Sequence, residues 1–175
     1  MTMTARVRKI ALTAHVVSSI GWFGAVAAFL VLAVAGLTRQ DDLLVRTAYL
    51  AMQLTTWYAI LPFALVSLLS GVVSSVGTKW GLIRHYWVFV KLLVTFLITV
   101  LLLVHLQSVE LLASAATKAS AVSGNPSGLK GQMVTYAVAT LLVLLVLTVL
   151  SVYKPQGMTR YGWRKQYEEP MRSQE

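Results

Sequence analysis

Residues 79–110 read KWGLIRHYWVFVKLLVTFLITVLLLVHLQSVE. The apolar part of this stretch exceeds the roughly 20 residues with which an α-helix crosses a bilayer, yet it holds a lysine and a histidine, Lys91 and His105. Fourteen residues on a helix is close to four turns, so the two side chains lie about 40° apart on one face and about 21 Å apart along the axis. Trp87 and Thr95 share that face. A charge at the centre of a membrane helix costs roughly 2.5–3.5 kcal/mol, and such residues reach for the headgroups, pair, or face a polar interior. Any function legible in this chain is expected along that face.

The composition extends the reading outward. The chain has 175 residues, 57% of them hydrophobic and only 12% charged, with a mean hydropathy of +0.72. Soluble domains carry about 25% charged residues, so the reading is an integral membrane protein. Four apolar runs predict helices over about residues 10–37, 47–76, 86–112 and 133–153. The expected fold is all-α, a single four-helix transmembrane bundle over residues 1–175 with a basic tail at 154–175. With no cysteine in the chain, disulfides, iron–sulfur clusters and thiolate zinc sites are excluded. The net charge of +9 sits beside apolar spans rather than in one solvated run, so it points to membrane topology and not to nucleic acid.

Arg6, Arg8 and Lys9 precede the first run, which resembles a secretory signal with Ala33-Val34-Ala35 as its cleavage site. A signal core has about 7–15 apolar residues, and this run is longer, so a retained helix is expected. Ala14, Ser18, Gly21, Ala25, Ala28 and Ala35 recur on it at helical spacing, a seam where another helix can approach closely. The connection Thr38–Arg46 is too short for anything but an antiparallel neighbour. The second helix carries Pro62, expected to bend it, and then Ser67, Gly71 and Ser75 at four-residue spacing. Trp80, Tyr86 and Trp87 read as an interfacial aromatic belt. Asn125-Pro126 marks a turn in the longest connection. The fourth helix, without an ionisable side chain, reads as a lipid-facing scaffold.

Orientation follows from the basic residues. The amino terminus, the 77–85 loop and the tail carry three, two and five Lys or Arg, and the other two loops carry two each. Ten against four predicts both termini in the cytoplasm, an N-in/C-in topology.

Depth decides which polar residues can meet. His15 lies about two turns into the first helix, and Lys91 a similar distance into the third from the same side. The pair can share one site. His105 lies near the opposite surface and His85 at the interface, so a three-histidine metal centre, whose ligands converge at about 2 Å, is not expected. Histidine is a common axial ligand of haem, and a neutral lysine amine is capable of the same role. His15 and Lys91 are therefore the candidate metal-ligating pair. His105 is a candidate for a second redox or proton-handling position, with Met52 as a partner from the second helix. Trp22, seven residues after His15, and Trp87 are candidate cofactor walls. Against these stand plainer roles: Lys91 reaching the headgroups, His15 bonded within the bundle, Trp22 as packing. No nucleophile motif, phosphate-binding glycine loop or paired carboxylates are present, so hydrolase chemistry has no visible apparatus.

The segments LTAHVVSSIGWFGAV, GTKWGLIRHYWVFVKLL and YKPQGMTRYGWRK resemble a family of small, uncharacterised bacterial four-helix membrane proteins over nearly the whole chain. More distantly, the helix order and the placing of His15, Trp22, Trp87 and Lys91 are similar to the copper-resistance protein D and membrane protoporphyrinogen oxidase (HemJ-type) group. In the oxidases an early-helix histidine and a lysine of a later helix are associated with haem b, and the resemblance implies those roles for His15 and Lys91. The oxidase pattern has a further histidine just after the first helix, where this chain has Thr38-Arg39-Gln40-Asp41. That departure argues against porphyrinogen oxidation. The resemblance also implies the bacterial cytoplasmic (inner) membrane as location.

The leading expectation is thus a haem b-binding redox protein, in electron transfer or an oxidase-like role, with a membrane redox partner or quinone. The alternatives are a transporter for copper or a small solute, and a non-catalytic subunit or assembly factor. The small-residue seam also suits a homodimer.

Overall fold

The computed structural model describes residues 4–76, 86–117 and 127–153. Within them the chain is helical except at Thr4 and residues 39–41: α1 (Ala5–Thr38), α2 (Asp42–Thr55), a π-helical turn (Thr56–Ile60), α3 (Leu61–Val76), α4 (Tyr86–Thr117) and α5 (Ser127–Tyr153). α2, the π turn and α3 run on as one rod, so the chain forms four spans, each long and apolar enough to cross a membrane. The aromatic and basic residues expected at 77–85, the turn at Asn125-Pro126 and the tail from Lys154 lie outside the described residues.

Each helix is longer than the apolar run that predicts it. At the first connection the Thr38 hydroxyl donates to the carbonyl of Val34 at 2.8 Å and the Arg39 N–H donates to that of Ala35 at 3.0 Å. Asp41 then caps α2, its carboxylate accepting from the Leu43 N–H at 3.0 Å. Free N–H groups at a helix start are the usual target of such a side chain. Thr38–Arg46 is thus mostly helix ends, and the turn itself is very short.

Pro62 does not simply kink its helix. It lies just after the π turn, where the Leu61 N–H donates to the carbonyl of Thr56, five residues back. A proline ring crowds the carbonyl four residues before it, here that of Tyr58, and the wider turn relieves the clash. Both Thr56 and Ile60 are buried there.

α1 is the central element. It packs against α2, α3 and α5, while α2 and α3 also pack against α4; α4 and α5 meet least closely of the adjoining helices. Its buried residues are Ala11, Ser18, Trp22, Val26, Phe29, Ala33 and Gly36, a stripe at spacings of three, four and seven. Of the expected small-residue seam, Ser18 is buried, Gly21 meets Phe63 and Ala28 is exposed. Large residues therefore share the inner face. At Gly36 an added Cβ would come within 2.7 Å of the Tyr49 ring, and the Tyr49 hydroxyl donates to the Gly36 carbonyl at 2.8 Å. The absent side chain is what lets α1 and α2 close on each other.

The outer surface is apolar all round. Ile20 and Val104 are each 68% exposed, and Phe96, Leu142 and Val152 are likewise exposed. An apolar surface this extensive is not tolerated in water, whereas lipid solvates it. The structure is a four-helix transmembrane bundle, and its membrane-spanning helices make the lipid bilayer its immediate partner.

Candidate functional site

The candidate site residues lie at two levels of the bundle. The first lies at the end that carries Ala5 and Tyr153, where His15 of α1 faces α3. His15 Nδ1 lies 2.9 Å from the carbonyl oxygen of Ser67 and 3.3 Å from the Ser70 hydroxyl. A carbonyl only accepts, so Nδ1 carries the proton, and in the neutral ring Nε2 is left as the free lone pair. Among the described residues Nε2 has no hydrogen-bond partner. Gly71 makes room for the ring, for a Cβ there would come within 3.2 Å of His15 Cε1. Ser19 and Ser67 bond each other at 2.9 Å beside it.

Lys91 enters the same level from α4. Its amine donates to the Ser151 hydroxyl of α5, near the end of the bundle that carries Tyr153. Both predicted residues are half-buried, and no hydrogen bond joins them among the described residues. Trp87 stands in the first turn of α4, and its side chain lies outside the described residues. Ser67 was legible in the Ser67-Gly71-Ser75 spacing. Ser151 was not: it is one serine in a helix that otherwise reads as lipid-facing.

The second level lies deeper, and Trp22 belongs to it rather than to His15. A cleft of about 210 Å³ runs between the spans, lined by Trp22 of α1, Thr56 and Ile60 at the π turn, His105 of α4, and Tyr136 and Thr140 of α5. His105 packs edge-to-face on Tyr136, with ring centroids 4.2 Å apart, and its Nε2 lies 3.2 Å from Met133 Sδ. Met52, the partner expected from sequence, is instead buried in the core; Met133, from α5, is the thioether at His105.

No family model, no curated protein and no solved structure matches the chain.

The two levels suit different occupants. No group of three or more His, Cys, Asp or Glu placed to hold a metal ion occurs among the described residues. His15 offers what a haem ligand needs: a lone pair on Nε2, with the other ring nitrogen held by a backbone carbonyl, the arrangement that orients ligating histidines generally. The His105–Met133 pair does not suit a porphyrin. Bonds of about 2.0 and 2.3 Å on opposite sides of one metal separate N and S by about 4.3 Å, more than the 3.2 Å found. The cleft of about 210 Å³ is also below the roughly 300–1,000 Å³ of pockets that enclose a drug-sized ligand.

Proposed function

We propose that the protein is a small haem b-binding redox protein of the bacterial cytoplasmic membrane, with both termini in the cytoplasm. His15, through Nε2, and Lys91 are the residues that would hold the haem. The observation that carries this reading is the Nδ1 contact to the Ser67 carbonyl at 2.9 Å, which fixes the tautomer with Nε2 free. When bound, haem supplies reversible one-electron chemistry. The chain's own residues orient the ligand: Ser67 holds the ring, Gly71 admits it, and Ser151 holds the lysine. The missing second histidine of the oxidase pattern favours electron transfer over porphyrinogen oxidation.

Haemin titration into detergent-solubilised protein tests it. Wild type is expected to bind one haem per chain with a Soret band. His15→Ala is expected to lose that binding, whereas Lys91→Met keeps weaker binding with an altered spin state. Titration curves indistinguishable between wild type and His15→Ala would overturn the assignment.

A second reading, copper handling by a transporter-like protein, is favoured by the His105–Met133 contact alone. Imidazole and thioether are donors that suit Cu(I). Cu(I) competition with a chromogenic chelator measures it, and Met133→Leu is expected to lower the affinity at least tenfold if that pair is the site. Equal affinity in wild type and Met133→Leu would remove the reading.

A further inference from the structure

Lys91 brings a cation into an apolar span, and the bundle gives it little to pair with. Its amine donates to the Ser151 hydroxyl, and among the described residues no carboxylate lies at that end: Asp41 and Asp42 stand at the start of α2, and Glu110 near the far end of α4. The same end carries Arg6, Arg8 and Lys9, all exposed. A charge within a membrane helix is usually paired, so this end is short of an anion. Ser151 is unspent in the same way. Among the described residues it makes no bond to its own helix, and a hydroxyl that accepts from an amine still has its own hydrogen to donate.

These two donors stand at the head of a groove. α4 and α5 meet only loosely, and beyond the Lys91–Ser151 tie the gap between them opens into the cleft of about 210 Å³. Ile98, Leu102 and His105 follow Lys91 by seven, eleven and fourteen residues, which sets all four within about 40° on one face of α4. Ala137 and Thr140 precede Ser151 on α5 by fourteen and eleven, and all five residues line the cleft. Leu101 and Val104 on α4 and Tyr136 on α5 are exposed at its rim, so the groove lies open along its side to the acyl chains of the bilayer. At the deep end His105 closes it, packed on Tyr136 and in contact with Met133.

An occupant that answers both the charge and the apolar walls has an anionic head and a long apolar tail. The dimensions fit one class. Fourteen residues from Lys91 to His105 rise about 21 Å. One interfacial layer of a bilayer is about 6 Å deep and one leaflet of its hydrocarbon about 15 Å, so a phospholipid whose phosphate meets the amine ends its acyl chain where His105 closes the groove. A free phosphate would leave the walls uncovered, and an uncharged lipid would leave the amine unpaired.

We propose that the groove between α4 and α5 holds one anionic phospholipid, its phosphate accepting hydrogen bonds from the Lys91 amine and the Ser151 hydroxyl and one acyl chain lying in the cleft. The amine serves one group at a time, so the proposal describes the haem-free chain. Its test contains no haem, and its failure leaves the His15 assignment standing.

Native mass spectrometry of the full chain, delipidated and haem-free in detergent, tests it with two probes, phosphatidylglycerol and the diacylglycerol with the same acyl chains. Wild type is expected to retain one phosphatidylglycerol per chain and at least tenfold less of the diacylglycerol. Lys91→Met is expected to lose that preference. Ala139→Phe fills the exposed rim and leaves the core packing alone, and is expected to lower retention of phosphatidylglycerol at least fivefold. Equal retention of the two lipids by wild type, or retention of phosphatidylglycerol unchanged in either variant, overturns the proposal.

Discussion

Gly36 and Gly24 lie in the same helix, and their surroundings predict opposite outcomes for the same substitution. A Cβ at Gly36 would meet the Tyr49 ring at 2.7 Å, while nothing lies within 4 Å of one at Gly24. Gly36→Ala is expected to destabilise the bundle by about 1–3 kcal/mol through overpacking. Gly24→Ala is expected to be neutral or to stabilise by up to about 1 kcal/mol from helix propensity. Tyr49→Phe removes the hydroxyl bond to the Gly36 carbonyl, at a cost of about 0.6 kcal/mol by the measured average for polar contacts between membrane helices. Unfolding in mixed micelles ranks the three, and Gly36→Ala as mild as Gly24→Ala would contradict the close approach. At this scale the sequence was partly legible. His15 and Lys91 stood out because polar residues in apolar runs are conspicuous, and Ser67 lay on a visible serine–glycine spacing. Ser151 and Met133 did not, since nothing in an all-apolar helix says which residue faces inward.

At the scale of the elements, the π turn is the departure with consequences. Proline predicted a bend, and the chain responds with a widened turn that carries Thr56 and Ile60 to the cleft. Pro62→Ala restores the missing N–H and removes the ring clash, so α-helical bonding through Tyr58 becomes available. The variant is expected to have the higher melting temperature. A lower melting temperature would show that the π turn is imposed by packing and not by proline. The helix ends were misjudged for a related reason. Hydropathy marks the apolar run, but capping by Asp41 and the Thr38 bond extend helix into residues that read as loop.

Across the whole molecule, four apolar runs sufficed to identify four spans, because in lipid a chain must satisfy its backbone internally and only helices or closed barrels do so. Their rotation was not legible, because lipid and core are both apolar and no polar face marks the outside. Trp22 illustrates this: seven residues from His15, it read as a wall of the same site but belongs to the deeper cleft. Orientation is testable directly because the chain has no native cysteine. Thr4→Cys is expected to label from the cytoplasmic side and Gln40→Cys from the opposite side; the reverse pattern would invert the topology. The claim on which the account turns is that His15 carries haem in the membrane as the cell makes it. The reduced-minus-oxidised absorption spectrum of protein purified without added haem, beside His15→Ala matched for expression, tests it most directly. Wild type is expected to show b-type α and Soret bands that are absent from the variant. A well-folded wild-type protein without them, or a variant that keeps them, would contradict it.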